Sequence, residues 1–189
     1  MGTTRSPRTP TAATRARRSS RRPPWSSGPT DVHHEPTRRT VARVLPVSSE
    51  GKVLLLLGCD PALPEVRYWF TVGGAADEGE SLAEAAAREL REETGIAVDP
   101  ARLGAPFGTF EVEFSWDGRD YVNESTLFAL ALEETPISFE GLDQLESQSI
   151  FDAAWWTPDD LDHDGRAVDP RLIDQMRAAI AHVRGGTDA

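Results

Sequence analysis

The chain has 189 residues, 39% hydrophobic and 27% charged, which suits one core of ordinary size with or without a tail. Its apolar runs, such as Val53-Leu54-Leu55-Leu56-Leu57, fit buried strands and fall far short of the roughly 20 residues that cross a bilayer, so a membrane-spanning helix is excluded. Cys59 is the single cysteine, which excludes an intramolecular disulfide and a multi-cysteine zinc site. The net charge of −11 is unevenly spread: residues 1–30 hold seven of the 20 basic side chains and no acid. The remainder sets 13 basic against 31 acidic residues, and such a body repels nucleic-acid phosphates unless cations mediate.

Residues 1–38 are rich in Arg, Ser, Thr and Pro, nearly lack aromatics and show no helical or strand period, which predicts a disordered tail. A solvated extension is preferred there over an organelle transit peptide or a nucleic-acid-binding arm. Residues 39–189 read as one folded domain. Val41–Val47 and Lys52–Leu57 are strands around a Ser-Ser-Glu-Gly turn, and Tyr68–Thr71 is a short strand ending at Gly73-Gly74. A helix follows. Phe107–Trp116 and Tyr121–Leu132 alternate and are joined through Asp117-Gly118, a hairpin signal. Ala153–Trp156 reads as a last strand whose two tryptophans face opposite ways, and Thr157-Pro158 opens a short turn or helix. Ile173, Met176, Ile180 and Val183 mark an amphipathic closing helix. Strands dominate and helices pack on them, so the class is α+β.

The helix after Gly74 is specified locally in detail. Ser81-Leu82-Ala83-Glu84 matches a capping box, Leu82, Ala86 and Leu90 form an inward stripe, and Gly95 suits a left-handed stop. Its acids break the local rules. Glu89, Glu92 and Glu93 share an arc of roughly 100°, where like charges repel, and they crowd the C-terminal end, where the helix dipole disfavours anions. Such a conflict is expected where carboxylates gather a hard cation, although a solvated acidic face paired with Arg88 and Arg91 satisfies the same facts.

The full pattern favours the cation. Gly74, Glu80 and the run Arg88-Glu89-Leu90-Arg91-Glu92-Glu93-Thr94-Gly95-Ile96 reproduce, without a gap, G-x5-E-x7-R-E-U-x-E-E-x-G-U with U apolar. This 23-residue stretch resembles the complete box of the Nudix hydrolase family, and the order of the surrounding elements is also similar to a Nudix domain. The resemblance implies an α/β/α sandwich with a mixed sheet, the box forming a loop–helix–loop beside a diphosphate. It implies hydrolysis of a pyrophosphate bond in a nucleoside-diphosphate-linked substrate, such as a nucleoside triphosphate or nucleotide sugar, with Mg²⁺ as cofactor and Mn²⁺ as a substitute. A nucleotide-binding sensor without turnover is the alternative. By the same resemblance Glu92 and Glu93 match the principal metal ligands, and Glu89 matches a third acid that binds metal or activates water. Arg88 matches the arginine that orients a box glutamate, Gly74 matches the glycine whose carbonyl completes the metal shell, and Glu80 matches a structural or outer-shell acid. Val72 stands where the family often has proline.

Beyond the box, Asn123-Glu124-Ser125 interrupts an apolar alternation, which makes Glu124 a candidate added metal ligand or base against the reading of an outward strand residue. Glu111 and Glu113 share one face and are expected in solvent. Trp69 and Phe70 are candidates to stack on a nucleobase, with core packing the default. His33, His34, His163 and His182 are expected to be solvated, and Cys59 is expected to be an inert thiol at a loop or strand end. Residues beyond the box lack the proline, tyrosine and upstream patterns of the ADP-ribose, diadenosine-polyphosphate and coenzyme A enzymes of the family. The bias of 19 arginines against Lys52 suggests a GC-rich bacterial genome and a cytoplasmic location. The expected partner is a small nucleoside diphosphate derivative, with no membrane and no stable nucleic-acid partner; the family's habit of pairing leaves a homodimer open.

Overall fold

The uninterrupted apolar run after Lys52 becomes β2 (Val53–Cys59), buried at every position. A strand with neighbours on both edges and layers on both faces has no exposed side on which to alternate. Residues 35–186 are described by the structure, a computed structural model. β6 (Ile150–Trp156) runs antiparallel along one edge of β2, while β3 (Arg67–Phe70) and the last residue of β1 (Thr37–Val47) take the other. β1 pairs in parallel with β5 (Arg119–Ala131), from Thr37↔Tyr121 to Val47↔Ala131. β5 turns back from β4 (Gly108–Trp116) through Asp117 and Gly118, both at positive φ (50° and 71°), as the sequence of that hairpin requires.

β1 meets β2 only at Val47↔Val53, and beyond that pair the two strands diverge. The chain leaving β3 enters the gap: Val44 bridges to Val72, and Val41 bridges to Ala75. Ala42 N–H donates to the Gly74 carbonyl and Ala76 N–H to the Thr40 carbonyl, each at 3.0 Å. Gly73-Gly74 is thereby fixed against the central strand.

α1 (Leu82–Thr94) covers one face of the sheet over Ala42, Val44, Leu54, Leu56, Phe128 and Leu130. α3 (Pro158–Asp164) and α4 (Arg171–Gly186) cover the other through Leu161, Leu172, Ile173 and Met176. The result is an α/β/α sandwich with a mixed sheet. Trp155 joins the first core and Trp156 the second, on opposite faces as their adjacency in a strand demands. No helix among the described residues is long and apolar enough to cross a membrane.

Differences from the sequence reading fall at the start of β1 and between β5 and β6. β1 begins at Thr37, so Thr37 and Arg38 pair with Tyr121 and Val122 in the sheet instead of closing the 1–38 tail. Residues 1–34, including His33 and His34, lie outside the described residues. Between β5 and β6 a four-residue helix, α2 (Glu146–Ser149), forms where no element was read, being too short to show a period.

Candidate active site

α1 is held at both ends. Ser81 and Glu84 close the capping box, and Gly95 at φ 75° sends its N–H to the Arg91 carbonyl. With the helix phase fixed, Glu89 and Glu93 turn inward to 7% and 5% exposure. Glu93 Oε2 accepts the Gly73 N–H at 2.7 Å. From β1, Arg43 donates to the carbonyls of Thr71 and Gly73, so this turn is clamped from both sides. At Gly74 an added Cβ would strike the Glu89 carboxylate, so the box glycine makes room for the acid.

Arg88 organises the other acids. Its Nε donates to Glu80 Oε1 at 2.9 Å and its Nη2 to Glu80 Oε2 at 3.0 Å, a bidentate grip that orients the guanidinium. From that position Nη1 reaches Glu89 at 2.8 Å and Glu92 at 3.0 Å, while Nη2 also meets the Ala75 carbonyl at 3.0 Å. Glu80 therefore acts on Glu89 through Arg88, across the helix side that separates the two acids.

A third acid arrives from the loop before β6. Ser138 N–H donates to the Thr94 carbonyl at 2.9 Å, and Gly141 packs so close to the Glu92 backbone that an added Cβ would lie 2.6 Å from its carbonyl oxygen. Docked along the end of α1, the loop delivers Glu146. Carboxylate oxygens of Glu89, Glu93 and Glu146 lie within 4.8 Å of one another. Burial raises all three above the ordinary carboxylate range, Glu93 most strongly; the Gly73 N–H and Arg43 oppose the rise at Glu93, and Arg88 opposes it at Glu89. Three desolvated carboxylates facing one another are costly unless a positive charge joins them. An all-oxygen donor set of this kind suits a hard divalent cation.

Comparison with known proteins decides the family. The family model of the NUDIX domain matches residues 37–176. The chain belongs to the Nudix hydrolase family. It is 32% identical over 102 residues to the uncharacterized Nudix hydrolase YvcI of Bacillus subtilis, a match covering 54% of this chain and 56% of that protein. The chain thus spans little more than half the length of that curated relative. The MutT protein of Methanosarcina mazei Go1 is similar in fold at a TM-score of 0.55 and 19% identity, covering 79% of this chain and 97% of the other. A Nudix hydrolase from Nitrosomonas europaea superposes at a TM-score of 0.53 and 18% identity, covering 77% and 90%.

Within the Nudix box, the structure gathers Glu89 and Glu93 but directs Glu92, whose side chain is about a third exposed, to Arg88. The charge of Glu92 still bears on Glu89 and Glu146, helping to raise both. The Gly74 carbonyl already accepts from Ala42. Glu124 lies apart from the carboxylate cluster: it is exposed, and with Glu111 it shares Arg38, each at 3.0 Å. Glu113 is exposed on the same face as Glu111, as expected. Trp69 is core, packed edge-on against Trp156, whereas Phe70 lines a cleft beside the box. Cys59 ends β2, buried. His163 is exposed, and so is His182, whose ring nonetheless lies against Phe107.

Sequence reasoning missed Glu146 as a site residue. Its one local signal is the pair Asp143 and Glu146, which exchange backbone and carboxylate hydrogen bonds at 2.7 and 2.9 Å in the manner of a capping box. That signal predicts a helix start and says nothing of where the start is docked.

Proposed function

We propose that this protein hydrolyses a pyrophosphate bond in a nucleoside-diphosphate-linked substrate, using Mg²⁺ or Mn²⁺ held at the box. The observation that carries the reading is the convergence of the Glu89, Glu93 and Glu146 carboxylates, two of which, Glu93 and Glu146, line a cleft of about 350 Å³, a size that suits a small molecule. A divalent cation there supplies the Lewis acidity that a diphosphate needs to accept a nucleophile and that makes water acidic enough to be one. Glu89, Glu93 and Glu146 would hold it, and Glu92, here paired with Arg88, stands on the same helix as the first two. Arg88 keeps Glu89 oriented, and Glu80 keeps Arg88 oriented. Gly73 and Arg43 fix Glu93 from the backbone side. A carboxylate of this set that is not fully engaged takes the proton of the attacking water, and Glu89 is our candidate. The folded domain is assigned to the residues from β1 onward, the reaction is placed in the cytoplasm, and the basic tail is given no part in it.

The test is product release from nucleoside triphosphates, nucleotide sugars, dinucleotides, ADP-ribose and coenzyme A, with Mg²⁺, with Mn²⁺ and with chelator. Cleavage should require metal, and Glu93→Gln should lower kcat/KM by about a hundredfold or more, since it removes a ligand whose neighbours alone are worth 10–100-fold. Binding of a nucleotide equally by both proteins, with no turnover of any compound, would instead make the box a sensor.

A further inference from the structure

The floor of the cleft is made by the side chains that β1, β5 and β4 turn toward α4. In register they form two rows, Arg39–Asn123–Val112 and Val41–Ser125–Phe110. Around this floor Phe70, Phe110 and Phe114 line the cleft, with Arg43 held by the Thr71 and Gly73 carbonyls and Arg171 paired with Asp169; Glu93, Gly74 and Glu146 belong to the same lining. Asn123 and Ser125 do not belong in such a setting on packing grounds. They are 3% and 2% exposed, yet neither Asn123 Oδ1 nor Ser125 Oγ has a hydrogen-bond partner. A buried polar atom without a partner weakens the fold, and sequences rarely keep two of them side by side unless something binds them.

The geometry points to Asn123 and Ser125 as the residues that recognise the nucleobase of the substrate. The inference rests on the hydrolytic reading for the placement of the diphosphate at the Glu93 end. From there the remainder of the substrate extends over the floor. Its complement is a planar, apolar-faced group with a hydrogen-bonding edge, because the walls offer aromatic faces, the arginines of the lining already have partners, and the two unpartnered polar groups are uncharged. Each of those groups donates and accepts, so they read a pattern of donors and acceptors and not a charge. A nucleobase has this chemistry; a sugar, a lipid chain or a further phosphate does not. At the far end Arg39 lies over the Tyr121 ring, 3.7 Å from its centroid, and is thereby held beside Asn123. Glu124, the outward residue between the two, takes no part.

The α,β-methylene analogues of ADP, GDP, CDP and UDP, with methylenediphosphonate as the base-free probe, test this by calorimetry on the full chain with Mg²⁺. At least one base-bearing analogue should bind about a hundredfold tighter than the base-free probe. Ser125→Ala and Asn123→Leu should each cut that ratio by about tenfold. The melting temperature of the ligand-free variants should stay level or rise, because each change removes an unpaired buried atom. That combination is the discriminating readout, since a residue needed only for the fold would lose stability. Equal binding of base-bearing and base-free probes by the unaltered protein overturns the inference, as does a lower melting temperature in Ser125→Ala whatever its ratio. Should Asn123→Leu fail to fold, Ser125→Ala, which deletes a single oxygen, decides alone. Metal-dependent cleavage is scored separately. If cleavage persists without base preference, only this inference falls; if no diphosphate is cleaved, the hydrolytic reading falls and the binding ratios still judge the floor.

Discussion

Gly73 and Gly74 are adjacent, and each is glycine for a different reason. Gly73 sits at φ 126°, and a Cβ there would strike the Ala42 carbonyl, so both its own backbone and the neighbouring strand forbid a side chain. Gly74 has no such backbone demand; what fills its side-chain space is the flexible end of Glu89. The two alanine variants should therefore separate. Gly73→Ala should destabilise the fold by about 2 kcal/mol or more, seen as an earlier midpoint in denaturant. Gly74→Ala should melt close to the unaltered protein yet lose about a hundredfold in kcat/KM, because a misplaced carboxylate costs activity and not folding. Comparable destabilisation in both would refute this division. The pattern also shows why the box could be read from sequence at single-residue grain: its glycines, its arginine and its acids answer to one another over short chain distances.

At the scale of the element, α1 is the part most completely written in local sequence. Its start, stop and inward stripe were all legible, because a capping box and a left-handed glycine act within one turn of themselves. Ser81→Ala should cost about 1 kcal/mol in unfolding free energy. Glu84 adds a pH dependence: hydrogen bonds from the Ser81 side chain and backbone hold its carboxyl below the ordinary range. A depressed folded-state pKa means that this contribution is present above the unfolded value of about 4.3 and disappears as pH falls through the folded one. The stabilities of the unaltered protein and Glu84→Gln should therefore converge on acidification and differ near neutrality; a gap that stays constant to pH 2 would contradict it. The β5 strand was harder to read. The interruption at Asn123-Glu124-Ser125 was visible, and period two puts Glu124 outside and its polar neighbours inside, as the burial of β5 shows.

At the scale of the whole molecule, the site is closed by a loop that nothing local predicts. Glu146 reaches Glu89 and Glu93 because residues 138–141 dock on the last turn of α1. The three raised carboxylates should make the cation a stabiliser of the fold. At a hundredfold excess over Kd, Mg²⁺ contributes about 2.7 kcal/mol, or roughly 5–10 °C in Tm for a chain of this length. Glu146→Gln should weaken that shift. So should Gly141→Val, which forces the loop off the Glu92 backbone without touching any carboxylate. An Mg²⁺ shift unchanged in Gly141→Val would mean that the loop does not complete the site.

The sequence by itself determined the family, the α+β class, the box helix and two of the three gathered acids, since each depends on residues within about twenty positions of one another. The approach of Glu146 to Glu89 and Glu93, the cleft floor and the pairing of Glu124 with Arg38 were decided only by tertiary structure. Those features come from where β1 and β2 diverge, which way β5 faces and where the eighteen-residue connection between β5 and β6 settles. Contacts of that kind join residues far apart in the chain, and no short-range pattern of side chains encodes which of them will meet.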